Sequence, residues 1–204
     1  MKILIGQPKL EAGLKQLETD IRNNQNSIDL VIYPEGYINQ NVEEACRLAQ
    51  AYKLTIISGH KKPKDRAIII SRSGEIKLDR AKYDSSPVVQ VEGIHIGFIL
   101  CDELVLQGRG KVQGKELDLI VHPIGVGMFS EAQFEEWIKE AKKIAAQSKS
   151  MVIGTSHADG AFKNSKISIP IAYCIDQNGQ EKFILKNDTR TIIYDTEADT
   201  IKYV

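Results

Sequence analysis

A chain of 204 residues with 27 basic and 27 acidic side chains is most simply one domain, 1–204, long enough to bury a substantial core. Its balanced charge leaves no field to gather nucleic acid or an anionic membrane surface. Three cysteines without paired spacing argue against a disulfide framework, and no apolar run approaches the ~18 residues of a membrane span. Met1-Lys-Ile-Leu-Ile opens directly as a strand, without a signal-like segment, so a cytoplasmic location is expected.

Along the chain, short β-branched runs alternate with helical periodicity. Strands are expected at Lys2–Ile5, Leu30–Tyr33, Leu54–Ser58, Ala67–Ser71, Ile94–Leu100 and Leu117–Val121, then at Met151–Thr155, Ile167–Ile175, Lys182–Leu185 and Thr191–Tyr194. Leu10, Leu14, Leu17 and Ile21 recur at helical spacing, as do Val42, Ala45, Ala49 and Tyr52. Ser130 and Gln133 form a capping box ahead of a helix bearing Phe134, Trp137, Ala141, Ile144 and Ala145. Ser73-Gly74 and Asn178-Gly179 mark two hairpins that interrupt the alternation. Lys61-Lys-Pro-Lys64 reads as a solvated loop. So many strands and so few helices on one domain predict an α/β fold of two packed sheets with helices outside, not one doubly wound sheet.

Cys101 ends the apolar run Ile94-His-Ile-Gly-Phe-Ile-Leu100 and is followed at once by Asp102 and Glu103. The carboxyl ends of strands are where ligands and chemistry collect in open α/β sheets. Val31-Ile-Tyr-Pro-Glu35-Gly brings Glu35 to the end of another strand, with proline holding the approach extended and glycine permitting a sharp turn. Arg80-Ala-Lys82-Tyr places Lys82 just after a third strand and its turn. A carboxylate, an amine and a thiol at strand ends suffice for covalent acyl transfer. Cys46, on the apolar side of a helix, and Cys174, at a strand end, are expected in the core. His60, His95, His122 and His157 share no metal-ligand spacing, so no metal site is assigned. No Gly-rich phosphate loop is present, and no cofactor is called for. His122, before Pro123 at a strand end, is a candidate pocket residue, with a satisfied structural histidine as the alternative.

Taken together, Val31-Ile-Tyr-Pro-Glu35-Gly, Gly74-Glu-Ile-Lys-Leu-Asp-Arg-Ala-Lys82 and Gly97-Phe-Ile-Leu-Cys101-Asp-Glu resemble the nitrilase, or carbon–nitrogen hydrolase, superfamily. The similarity continues through Asp118-Leu-Ile-Val-His-Pro123, the Trp137–Ser156 helix and strand, and the Ser165–Gly179 hairpin. The resemblance implies a four-layer α-β-β-α sandwich with mixed sheets, and a catalytic triad of Glu35, Lys82 and Cys101. It further implies hydrolysis of a small amide or nitrile through a thioester. Glu35 is then the general base and Lys82 the oxyanion stabiliser together with the backbone N–H of Asp102, while Glu103 stands behind the triad. A non-catalytic or binding member of the fold, or an acyltransferase using the same thioester, is the alternative.

The chain also departs from the family pattern. Only 18 residues separate Lys82 from Cys101, where relatives have a longer loop and often a second glutamate. Asp84 is the candidate to stand in for that acid. The residue after the cysteine is Asp102 instead of an aromatic. A homodimer is expected, joined through the Trp137 side of its helix or the helix after Cys101.

Overall fold

The computed structural model describes residues 1–61, 63–112, 116–163 and 165–204. In chain order the elements are β1 (Lys2–Ile5), α1 (Lys15–Asn24), β2 (Leu30–Ile32), α2 (Val42–Tyr52), β3 (Thr55–Lys61), β4 (Asp65–Ile70), β5 (Ile76–Ala81), β6 (Val89–Val91) and β7 (Ile94–Phe98). There follow α3 (Glu103–Leu106), a 3-10 turn (Gly108–Val112), β8 (Leu119–Pro123), α4 (Glu131–Ser148), β9 (Met151–Thr155), β10 (Ile171–Ile175), β11 (Glu181–Lys186), β12 (Ile192–Asp195) and β13 (Thr200–Tyr203).

These strands form two mixed sheets. One is seven-stranded, in the order β13-β12-β1-β2-β3-β4-β5, and the other six-stranded, β11-β10-β9-β8-β7-β6. Because successive strand residues face opposite sides, each sheet is apolar on both. Ile3, Ile32, Ile57 and Leu78 from the first sheet meet Ile96, Phe98, Val121 and Ile153 from the second in the central core. The alternate residues Leu4, Val31, Ile56 and Ile68 pack outward against α1 and α2, while Ile120, Val152 and Tyr173 pack against α4. The result is the four-layer α-β-β-α sandwich.

Burying each such isoleucine or phenylalanine stabilises by roughly 1.5–3 kcal/mol. A one-residue slip of β7 against β8 would turn Ile96 and Phe98 out of the core, so the parallel register Ile96↔Leu119 and Phe98↔Val121 is firmly held. That register sets the height at which Cys101 leaves the sheet.

Several elements differ from the sequence reading. α1 starts at Lys15, and Leu10 is exposed ahead of it. The strand expected from Ile167 begins at Ile171, because Ile169 instead bridges Met128 across a loop and Pro170 has no N–H to give a ladder. β8 lies two residues later than expected. β6 and β13 were not expected: the first has three residues, and the second is a four-residue, largely exposed edge. Ser130 does cap α4, accepting from the Gln133 N–H at 3.1 Å, while the Gln133 side chain accepts from the Phe129 N–H at 2.8 Å. Trp137 is buried within its own chain, 5.5 Å from the His122 ring. Cys174 lies in the central core and Cys46 is half-buried on α2. Lys61, Pro63 and Lys64 are exposed; Lys62 lies outside the described residues. Among the described residues no helix is long and apolar enough to cross a membrane.

Candidate active site

Three strand ends meet at one end of the sandwich. After β2, the Pro34 carbonyl is fixed by the Ser58 hydroxyl at 2.8 Å and the Gly59 N–H at 3.3 Å, so the chain turns at Glu35. The turn needs Gly36: its φ is +75°, and a Cβ there would lie 2.5 Å from the Lys61 stem. The Glu35 N–H reaches the other sheet, donating to the Ile124 carbonyl at 3.3 Å. Lys82 follows β5, its N–H bonded to the Asp65 carbonyl at 2.9 Å. Cys101 follows β7 with φ +52°, a left-handed conformation that costs a non-glycine residue energy and that clusters at functional sites. The Cys101 N–H donates to Pro123 O at 2.9 Å, and its carbonyl accepts from Leu104 N–H at 3.1 Å.

The side chains converge. Lys82 Nζ lies 2.8 Å from Glu35 Oε1 and 3.0 Å from Asp102 Oδ1. The ammonium is thus held between two carboxylates as an ion pair with each. The Glu35 carboxyl and the Cys101 thiol are close enough to shift each other's titration. Burial pushes the Glu35 carboxyl above its ordinary range, and the Lys82 charge only partly offsets this. For Lys82, burial acts downward, but Cys101, Glu35 and Asp102 outweigh it and hold the ammonium well above its usual value. Burial, and then the Glu35 charge, drive the Cys101 thiol far up, while Lys82 and a backbone hydrogen bond from Gly125 pull the other way. The shifts thus favour a protonated thiol on Cys101 and a charged ammonium on Lys82 at rest.

A cavity of about 950 Å³ opens onto this cluster. Its base is Glu35, Lys82 and Cys101, and the loop after β8 supplies one wall. No family model matches the sequence, and no curated protein matches it. Solved structures do. One is the amidase of Nesterenkonia sp. AN1, from the nitrilase superfamily, in a variant whose active-site cysteine carries the acetamide moiety of fluoroacetamide. It is similar at TM-score 0.79 and 12% identity, over 98% of this chain and 91% of that one. The carbon–nitrogen hydrolase of Helicobacter pylori G27 is similar at TM-score 0.75 and 13% identity, over 98% and 90%. A CN-hydrolase superfamily protein of Xanthomonas campestris with an arsenic adduct in its active site gives 0.75 and 13%, over 98% and 92%. The chain has the nitrilase-superfamily fold.

Within that nitrilase fold, two residues expected at the pocket lie elsewhere. Asp84 is exposed on the turn after β5 and does not line the cavity; the second carboxylate at Lys82 is Asp102. The shortened loop is the reason, since it turns away at Tyr83, whose hydroxyl bonds Asp102 Oδ2 at 2.8 Å. His122 is fully buried behind the cysteine. Its Nε2 lies 2.8 Å from the Cys101 carbonyl, an acceptor only, so Nε2 bears the proton and Nδ1 accepts from the Tyr173 hydroxyl at 2.6 Å. Burial lowers the His122 pKa to about 4, so it works as a neutral donor that fixes the Cys101 backbone.

Glu103 is buried behind Cys101 and is tied to a residue the sequence reading passed over. Arg80 grips it bidentately at 2.8 and 2.7 Å, and Glu103 also accepts from the N–H groups of Tyr83 at 2.6 Å and Leu100 at 2.7 Å. One carboxylate thus joins the residue after Lys82 to the residue before Cys101. The signal was available: with period two, Arg80 shares the inward face of β5 with Leu78, and a buried arginine requires a buried acid. Gly125 was also missed. A Cβ at Gly125 would lie 2.8 Å from Glu35 Oε2, and its carbonyl is held by His157 Nδ1. Nothing local in Ile124-Gly-Val-Gly127 marks that contact, which exists only once the sheets have docked. Among the described residues no group of three or more His, Cys, Asp and Glu is placed to hold a metal ion.

Proposed function

We propose that this protein is a cysteine-dependent carbon–nitrogen hydrolase of amidase type. The observation behind this reading is the meeting of Glu35, Lys82 and Cys101, from three separate strand ends, at the base of one open cavity. Glu35 removes the thiol proton as sulfur attacks the amide carbon, so a high resting thiol pKa is compatible with reaction. The oxygen's developing charge falls to the Lys82 ammonium and the backbone N–H of Asp102. Glu35 then passes its proton to the leaving amine as the C–N bond breaks, leaving a thioester on Cys101. Water, deprotonated by Glu35, adds to the thioester. Collapse releases the carboxylic acid, and the sulfur regains its proton from Glu35.

Asp102 has a separate task in this cycle. Each time Glu35 takes a proton its charge disappears, and Lys82 would lose the neighbour at 2.8 Å that holds it. Asp102, 3.0 Å away, keeps the ammonium charged and in place throughout.

The test is a screen of small amides with wild type, Cys101→Ala and Lys82→Ala, read by ammonia release and by mass spectrometry of the acyl-enzyme. Wild type should turn over at least one amide and form an adduct on Cys101. Both variants should lose several orders of magnitude, because members of such a unit fail together. A Lys82→Ala enzyme that kept most of the rate would remove lysine from the mechanism. Product formation that required an added amine would instead establish acyl transfer.

A further inference from the structure

Resting on the hydrolase reading, we propose that the substrate carries an uncharged apolar arm beside its scissile amide and that the site turns carboxylates away. The wall beyond Cys101 is hydrocarbon, built from Val126, Met128 and Trp137, and it continues to the mouth through Leu106, Phe129 and Phe162. Those last three are 66, 41 and 48% exposed, and the two phenyl rings stack with centroids 5.8 Å apart. Exposed large apolar side chains are ordinarily scattered singly over a surface. Here three share the rim of the one cavity that holds the thiol.

The charges select further. Glu35, Asp65, Asp102 and Glu136 line the cavity, against Lys82 as the only lysine or arginine among its described residues. Lys82 is already shared between two of those acids. Lys163 Nζ sits 5.0 Å from the Phe162 ring, but Lys163 is not part of the lining. Recognition of a carboxylate is served by an arginine fork or an unengaged lysine, and the described residues of this cavity offer neither. An anionic arm would enter a field of four carboxylates with one ammonium. A neutral arm meets apolar wall on entry.

Acetamide, hexanamide and adipamate test this directly, the last two matched in length and differing in a terminal carboxylate. kcat/KM should rise about fourfold per added methylene, the equivalent of ~0.8 kcal/mol each. Adipamate should fall at least ~10-fold below hexanamide. Phe162→Ala should lower the hexanamide-to-acetamide ratio. As a readout without turnover, iodoacetamide should alkylate Cys101 at least ~10-fold faster than iodoacetate, each normalised to its rate with free cysteine. A flat chain-length series, or adipamate equal to hexanamide, overturns the proposal and leaves the hydrolase reading standing. So does a dimer that dissociates on Phe129→Ala with Phe162→Ala, which would assign the rim to a second copy. Failure of every amide, with Cys101 no more reactive than Cys46, overturns the hydrolase reading itself.

Discussion

Replacing Glu103 by alanine should be the most damaging single change outside the triad, and its size follows from burial. Arg80 and Glu103 are 5% and 0% exposed and joined by two hydrogen bonds. Removing one partner of such a pair leaves the other charge uncompensated, at about 3–5 kcal/mol. For a domain of this size each kcal/mol lowers Tm by about 2–4 °C, so a fall on the order of 10 °C is expected by calorimetry. Pairing Glu103→Leu with Arg80→Met should recover much of that, since a buried ion pair is often replaceable by hydrocarbon. Recovery should stop short, because the N–H groups of Tyr83 and Leu100 lose their acceptor, at about 1–3 kcal/mol for each left unsatisfied. Amidase activity should not return with stability, as those two N–H groups flank Lys82 and Cys101. The deficit also depends on pH. Burial pushes the Glu103 carboxyl up, but Arg80 and the two backbone donors overcome this and leave it lowered. Its contribution is thus fully present above the ordinary glutamate pKa and lost as pH falls through the lower folded value, so wild type and variant should converge in acid. A Tm loss under 2 °C for Glu103→Ala, or full activity in the double variant, would refute the clamp.

Other substitutions read the remaining electrostatics. Asp65 lines the cavity and raises the Glu35 pKa by its charge; Asp65→Asn should move the acid limb of kcat/KM to lower pH, measured on a neutral amide. In wild type that limb should lie above the ~4.3 of an unperturbed glutamate, because activity is lost as Glu35 protonates. Asp102→Asn removes a charge that supports the Lys82 ammonium, so the basic limb should move down and kcat should fall, by about tenfold or more. Asp102→Glu should restore part of each. His122 is neutral above about pH 4; the pH profile should show no inflection near 6.5, and His122→Ala should lower kcat more than it raises KM.

Local chemistry explains what the sequence could disclose. Glu35 and Cys101 each end an apolar run and Lys82 follows a strand opened by the Gly74 turn, with Pro34 and Gly36 as further punctuation, so the strand ends were readable one segment at a time. Apolar residues on both sides of β1 and β2 likewise require layers above and below. Asp102 was visible as an acid beside the nucleophile, but its bond to Tyr83 and its reach to Lys82 depend on where the shortened loop turns. Gly125 gives no periodic signal, because its role is set by the Glu35 carboxylate arriving from the opposite sheet. β13 escaped notice because its partner β12 supplies the pairing and its own side chains bury little.

The division of the site between the sheets has its own consequence. Glu35 and Lys82 belong to the seven-stranded leaf and Cys101 to the six-stranded one. The gap between Glu35 and Cys101 is therefore set by spacers in the central core, among them Ile57, Leu78, Phe98 and Leu100. Interior volume acts as a gauge block for that gap. Shaving a spacer would let the leaves creep together or tilt, and Cys101, three residues beyond the end of β7, would move with its leaf.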